Sequence, residues 1–192
     1  MSIVLVGSTS GSITLQEPAV AGTTVLTLPA VTGNVLTDTS PKAGNVIQVV
    51  QTVKTNTFST TSATLVDITG LSVTITPTSS SNKIMVLATV TGGSTDSVGI
   101  GTTFQLVRNS TNIATSTTTG GSTTGTFSFA QRSMGTQNMQ TSGVNFIDSP
   151  ATTSATTYKL QCLTQAGTLF VNQDGGGSCT GISSITVMEI AA

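Results

Sequence analysis

Histidine and tryptophan are absent from this 192-residue chain, and charged residues are scarce. Six basic and seven acidic residues make up 7% of the sequence, against roughly 25% in an ordinary globular domain. A chain without histidine cannot build a Ser–His or Cys–His nucleophile or a histidine-ligated metal site. Glycan hydrolysis, which needs only two carboxylates, is the enzymatic alternative that stays open.

The carboxylates are dispersed, and no two of them lie close in sequence. Because nothing suggests a converging acid pair, we expect no enzyme, no catalytic residue, no cofactor and no bound metal. Asp148 in FIDSPAT is predicted to accept backbone N–H bonds in a turn, and Asp67 in LVDIT to face solvent. Asp174 in QDGGGS could contribute to a cation site, but a hairpin loop is preferred because EF-hand spacing is missing. The acidic residues are Glu17, Asp38, Asp67, Asp96, Asp148, Asp174 and Glu189.

Basic residues are also scattered, so the chain lacks the electrostatic footprint of a nucleic-acid-binding protein. No apolar run approaches the roughly 18 residues of a membrane span. The start, MSIVLVGSTSGS, lacks the basic region of a signal peptide. We therefore expect no nucleic-acid partner, no membrane insertion, and synthesis in a cytoplasm without export by a standard signal.

The chain has two cysteines. Cys162 in TTYKLQCLT is in phase with Tyr158 and Leu160, and we predict that it points into a core. Cys179 follows the loop DGGGS. A disulfide between the two stays open as an alternative, although thiols of a protein made in a cytoplasm are more often reduced.

Threonine and serine are abundant instead, with 41 and 24 copies. Threonine favours strands because its branched Cβ fits a pleated surface. From Val46 onward, about ten short runs alternate apolar and polar residues between turn signals, and no window has helical spacing. This pattern predicts an all-β fold, a jelly-roll-like antiparallel sandwich.

Particular runs carry more specific expectations. KIMVLATVT is apolar almost throughout, which is typical of a strand buried on both faces. VIQVVQTVK places Ile47, Val49 and Val53 on one face. Thr69-Gly70 is predicted to be a tight turn between two strands. The last run, SSITVMEI, is expected to be tied into the sheet.

A strand-rich segment precedes the sandwich. SITLQEPAVAGTTVLTLPAVTGNVLT, residues 12–37, holds three short apolar runs divided by Gly, Pro and Thr. Residues 1–11 are interpreted as a flexible lead, and the turn-rich DTSPKAGN, residues 38–45, marks a boundary. We predict an N-terminal arm over residues 1–41 and the sandwich domain over residues 42–192.

Three stretches carry a resemblance to a known family. They are GNVIQVVQTVKTNTFSTTSATLVDITGLSVTITPTSSSNKIMVLATV, then VNFIDSPATTSATTYKLQ, then ITVMEI. Together they resemble the C-terminal β domain of tailed-bacteriophage virion structural proteins of the tail-fibre or decoration type. The resemblance implies a homotrimer of jelly-roll or sandwich domains, made in the host cytoplasm and located on the virion.

Two functions are implied by that resemblance. The first is a homotrimeric head decoration (cement) protein that docks on the capsid and stabilises it, with the major capsid protein or another virion protein as partner. It is preferred because only about 40 residues precede the domain, whereas long fibres carry further modules. The alternative is a short tail fibre or spike tip that binds a host-surface glycan or protein.

The N-terminal arm is predicted to be the docking and trimerisation element. Its apolar residues have no core of their own in one chain, so three chains together, or a foreign sheet edge, could cover them. The residues predicted to bind the partner are Ile13, Leu15, Val25, Leu26, Leu28, Val35 and Leu36.

Overall fold

The computed structural model describes residues 2–6, 12–16, 41–95, 101–117, 124–129 and 138–192. These ranges contain thirteen strands and no helix, which confirms the all-β class. The strands are β1 Ser2–Val6, β2 Ser12–Gln16, β3 Val46–Lys54, β4 Phe58–Thr60, β5 Val66–Ile75, β6 Lys83–Ser94, β7 Thr102–Arg108, β8 Thr111–Ile113, β9 Phe127–Phe129, β10 Gln140–Asp148, β11 Thr156–Thr164, β12 Leu169–Val171 and β13 Ser183–Ile190.

The chain divides into two compact units, residues 1–35 and 36–192. In the first unit, β1 and β2 form an antiparallel pair that runs from Ser2 opposite Gln16 to Val6 opposite Ser12. The expectation that residues 1–11 form only a flexible lead is therefore wrong for β1. The arm boundary between residues 41 and 42 stays a prediction.

The first sheet of the larger unit is four strands wide. Each position across it, called a ribbon here, holds one strand or two strands placed end to end. Strand β6 pairs with β10 on one side and with β13 and β12 on the other, and Gly92 is opposite both Gln140 and Val171. Strands β3 and β4 pair in turn with β13 and β12. β3 and β4 therefore lie end to end, as do β12 and β13, and the order across the sheet is β3/β4, β13/β12, β6, β10.

The second sheet has the order β5, β11, β7, and then β8 and β9, which lie end to end along the other edge of β7. All pairings in both sheets are antiparallel. Along the chain the successive ribbons alternate between the sheets, apart from β7 and β8/β9, which are neighbours. Eight ribbons connected in this way form a jelly-roll sandwich, so the predicted architecture is confirmed.

One apolar core fills the space between the sheets. Alternate residues of every long strand point inward, because successive side chains of a strand face opposite sides. Phe104 stacks on Phe127 with ring centroids 4.9 Å apart and meets Phe129 edge-on at 4.7 Å. The fully buried large side chains include Leu71, Ile75, Ile84, Phe104, Leu106, Phe129, Tyr158, Leu160, Leu169 and Ile185.

Cysteine positions follow from the same alternation. Cys162 lies on the inner face of β11 and is buried in the core, as predicted, whereas Cys179 is exposed in the loop before β13. The two are not bridged. Burial raises the pKa of the Cys162 thiol to about 12, so this side chain behaves as a small apolar group.

The Thr69-Gly70 turn prediction is wrong, because these residues lie inside the single strand β5. Gly70 has φ +81°, a conformation that glycine adopts without strain. The register with β11 shifts here, since Lys159 is opposite Ser72 and Gln161 opposite Asp67. The extra residues form a bulge, which bends the strand instead of ending it.

A buried glutamate closes one end of the sandwich. Glu189 is fully buried and accepts hydrogen bonds from Asn82 Nδ2 at 2.6 Å, from Gln48 Nε2 at 2.5 Å, and from the backbone N and Oγ1 of Thr78 at 2.7 and 2.8 Å. Burial alone would raise its pKa, but these hydrogen bonds outweigh it and the pKa of Glu189 is lowered. The last strand is thereby held to β3 and to the β5–β6 loop.

A second buried carboxylate, Asp148, lies on β10. Ile84 of β6 stands between it and Glu189 of β13. Arg108 Nη1 donates to both of its oxygens at 2.8 and 2.9 Å, and Tyr158 OH donates to Oδ2 at 2.7 Å. The predicted turn role for Asp148 is therefore wrong, because its partners are side chains. Burial, and then the bond to Asp148, raise the pKa of Tyr158 well above its ordinary value.

Candidate interaction surface

A row of four apolar residues crosses the outer face of the first sheet. The strand register places Val49 beside Met188, Met188 beside Met85, and Met85 beside Ile147. Val49 and Ile147, on the two edge strands, are 55% and 61% exposed, and the two methionines are half-buried. Because directly opposite residues lie about 5 Å apart, the apolar row is continuous from edge to edge.

More apolar surface lies on the same outer face. Leu87, half-buried, follows Met85 on β6, and Val53 is exposed on β3. Ile182, which is 59% exposed, directly precedes β13. In the described part of the larger unit, every exposed large apolar residue belongs to this sheet or adjoins it: Val46, Val49, Val53, Ile147 and Ile182.

Charge is nearly absent from this outer face. Of the described residues at its outward positions, Lys83 alone is charged, at the start of β6, where its Nζ donates to Ser149 Oγ at 3.0 Å. The remaining outward positions are neutral, such as Gln51, Thr89 and Asn145. Gln51 Nε2 donates to Thr186 Oγ1 at 2.8 Å across the β3–β13 pair.

The outer face of the second sheet is built differently. Its matched row across four ribbons is Ser72, Lys159, Val107 and Asn112. Ser72 and Asn112 are exposed polar residues at the two edges, and Val107 at the centre is buried. This face therefore exposes no large apolar side chain among the residues that the structure describes.

The polar groups of the second face bond to one another. Lys159 Nζ and Gln161 Nε2 both donate to Asp67 at 2.7 Å. The hydrogen bond and charge of Lys159, together with the bond from Gln161, lower the pKa of Asp67. Asp67 faces outward as predicted, but it is paired and not simply solvated.

Gln105, on the same face of β7, is completely buried. Its Nε2 donates to the Ile113 carbonyl oxygen at 2.8 Å and to Thr126 Oγ1 at 3.2 Å, and Thr115 Oγ1 donates to its Oε1 at 3.1 Å. Chain segments after β8 and before β9 thus cover the middle of the second face. No such segment covers the first face in the described part of the chain.

The prediction that KIMVLATVT is buried on both faces is half right. The inward residues Ile84, Val86 and Ala88 are buried, whereas Met85 and Leu87 on the outer face stay half-buried and Thr89 is exposed. The run is central in its sheet, as a two-sided apolar pattern suggests. The apolar character of the row was therefore visible in the sequence, but the sequence did not reveal that none of the residues that the structure describes covers its outer side.

The predicted arm residues are placed only in part. Ile13 and Leu15 lie in β2, opposite Leu5 and Ile3 of β1. The others lie outside the described residues: Val25, Leu26, Leu28, Val35 and Leu36.

The described carboxylates do not form an accessible acid pair. Asp148 and Glu189 are buried and bonded, and Asp67 is held by Lys159. Asp174 is buried in the β12–β13 loop, where its Oδ1 accepts from the backbone N of Ser178 and Cys179 and its Oδ2 has no partner. Glu17, Asp38 and Asp96 lie outside the described residues.

Within the described ranges, no group of three potential ligands could hold a metal ion. The same part of the chain contains no helix that is long and apolar enough to cross a membrane.

Comparisons with known proteins assign no family. No protein-family model matches the chain, and no curated protein matches it. The resemblance to phage virion proteins therefore rests on the sequence stretches themselves.

Solved structures give weak likenesses. A structure of infectious bursal disease virus, Gt strain, has 18% identity and a TM-score of 0.38, and the match covers 98% of this chain and 46% of that chain. The D431N mutant VP2 protein of the same virus, in T=1 particles, has 15% identity and a TM-score of 0.38, with 98% and 44% covered. The chain spans less than half of these structures, and TM-scores this low carry no weight in assigning a function.

Proposed function

We propose that this chain is a virion structural protein, specifically a homotrimeric head decoration (cement) protein that docks on a capsid and stabilises it. The observation that carries the proposal is the uncovered apolar row, Val49, Met188, Met85 and Ile147, on an outer face that is almost free of charge. A protein that works alone in water gains nothing from such a face, whereas a component of an assembly can bury it.

The rest of the sandwich suits a passive building block. Its core is continuous, and the buried carboxylates of Asp148 and Glu189 are bonded to side chains of neighbouring strands and loops. The few charges make contacts with other virion proteins weakly sensitive to salt. A jelly roll with no accessible acid pair among the described residues supports a structural function over glycan hydrolysis.

The N-terminal arm is proposed to dock the body on its partner. A two-stranded hairpin such as β1–β2 is marginally stable by itself in water. Ile13 and Leu15 pair with Leu5 and Ile3 in this hairpin, and burial of its apolar area against a partner would stabilise it. Burial of such area contributes roughly 25 cal/mol per Å², and a free strand edge can add backbone hydrogen bonds to a partner sheet.

Location and copy number on an intact particle test this function. We expect density for the chain on the head, in numbers comparable with the sites where capsid subunits meet, and particles without the protein should lose their contents at a lower temperature. A few copies on the tail, together with loss of adsorption and a stable head, would contradict the decoration function.

Removal of residues 1–40 tests the arm separately. The shortened protein should keep a cooperative thermal transition and lose incorporation into particles, and a full-length Ser72→Glu variant serves as the control for a change away from the arm. Full incorporation of the shortened protein would show that docking does not need the arm.

A short tail fibre or spike tip that binds the host surface is the second candidate. In that function the contact surface would be a Thr-, Ser- and Gly-rich loop, residues 116–125. One observation favours this function: the two ends of this loop are joined by a hydrogen bond from Ser116 N to Gly125 O at 3.0 Å. A rigid base is useful to a binding loop. Replacement of that loop should abolish adsorption if this function is correct and leave it unchanged if the protein decorates the head.

A further inference from the structure

We infer that the outer face of the first sheet is where three copies of this chain meet around a common axis, so that their apolar rows form one buried ring. This inference rests on the proposed homotrimer and names the surface that forms it. The row crosses the strands from Val49 at one edge to Ile147 at the other. Three rows placed around an axis that runs along the strands would bring twelve apolar side chains into a single layer.

Charge favours a second copy as the occupant over a different partner. A partner recognised by its charge would find only Lys83, which lies at the end of the face and bonds Ser149. Copies of the same face bring no carboxylates together, and the described outward positions other than Lys83 at one end are neutral. Neutral faces with an apolar centre are therefore self-compatible.

The residues at the centre also suit contact between copies. Met85 and Met188 occupy the middle of the row, with Leu87 beside them. Methionine is unbranched and fills irregular gaps, so two or three copies can pack without close shape matching. A sheet that faced only water would place threonine or lysine at these positions, as other outward strand positions of this chain do.

The area of the face sets how much it can contribute. Four ribbons about 4.8 Å apart and seven residues of about 3.4 Å each give a flat footprint of about 450 Å². A stable interface of standard size buries about 800 Å² on each partner. The face therefore supplies roughly half of what one contact needs, and a trimer requires further area from other parts of the chain.

Sedimentation velocity over a concentration series tests the inference on the full-length protein. We expect the wild type to sediment as a trimer. The double variant Val49→Glu, Ile147→Glu introduces six carboxylates into the ring and should sediment as a folded monomer, with association weakened at least about 100-fold. The matched control is Ser72→Glu, Asn112→Glu, which places the same charges at the two edges of the second sheet and should stay trimeric.

Three results would overturn the inference: a wild type that is monomeric or dimeric at every concentration, a trimeric Val49→Glu, Ile147→Glu variant, or equal dissociation of the control pair. If the double variant fails to unfold cooperatively, the single change Ile147→Glu, paired with Asn112→Glu, answers the same question. The inference and the proposed function can fail separately. A trimer that this face holds together in a protein absent from particles would refute only the function, and a decoration protein whose trimer survives the variants would refute only the surface.

Discussion

The two outer faces of the sandwich have the same geometry and opposite chemistry. Each is four ribbons wide, and each has a row that runs from one edge strand to the other. On the first sheet the row is Val49, Met188, Met85 and Ile147, and on the second it is Ser72, Lys159, Val107 and Asn112. Because both faces belong to the same fold, the difference between their rows points to a requirement of assembly and not of folding.

The second face is complete within one chain. Lys159 and Gln161 hold Asp67, and the segments around Ile113 and Thr126 cover Gln105. The first face has an apolar centre without such a cover in the described residues. Since folding alone does not explain an uncovered apolar row, we attribute it to contact with other molecules.

Replacing a central residue of each row by lysine should give the largest difference between the two faces. Val107→Lys would place a charge at a buried position with no partner, so the free energy of unfolding should fall by about 3 kcal/mol or more. Met85→Lys on the half-buried counterpart should change the stability of the monomer by less than about 1 kcal/mol but dissociate the trimer. Urea unfolding and sedimentation measure the two effects, and similar destabilisation by both changes would remove the contrast.

The buried glutamate on the inner side of the first sheet predicts a pH dependence. The lowered pKa of Glu189 stabilises the fold fully above the ordinary glutamate value of 4.5, and this contribution is lost as the pH falls through the lower folded pKa. Glu189→Gln should cost about 2 kcal/mol at neutral pH, because charge-assisted hydrogen bonds are lost, and should flatten the loss of stability in acid. Unfolding curves at several pH values check this, and an unchanged acid slope would contradict it.

On the inner side of the second sheet, Tyr158→Phe removes one hydrogen bond and almost no side-chain volume. Asp148 keeps Arg108 but loses the donor at 2.7 Å. We expect a loss of about 1.5 kcal/mol, typical of a buried hydrogen bond to a charged group, with the trimer unaffected. Thermal unfolding at neutral pH measures it. A loss of oligomers in Tyr158→Phe would show that the inner network also supports assembly.

The smallest effect is expected from the surface ion pair of the second face. Asp67→Asn breaks the pair with Lys159, and the Asp67 side chain is more than half exposed. Exposed pairs contribute roughly 0–1 kcal/mol, so the melting temperature should change little and the oligomer not at all. A large loss of either would mean that the second face, too, belongs to an interface.

The sequence predicted the sandwich because apolar and polar residues alternate clearly in strands such as β5 and β11. It did not reveal the bulge at Gly70 or the partners of Asp148, because both depend on contacts between residues far apart in the chain. The apolar run KIMVLATVT indicated that both faces of this strand are covered. It could not show whether the cover of the outer face comes from the same chain or from another copy. The docking residues of the arm remain predictions for the same reason.

Cysteine labelling tests the central claim most directly. In a Cys179→Ser background, which leaves only the buried Cys162, Ile147→Cys and Asn112→Cys place one thiol at an edge of each outer face. In the intact oligomer, a maleimide should label Asn112→Cys quickly and Ile147→Cys at least about 10-fold more slowly, and dissociation should abolish the difference. Equal labelling of both thiols in the intact oligomer would contradict the claim that the first face is covered by other copies.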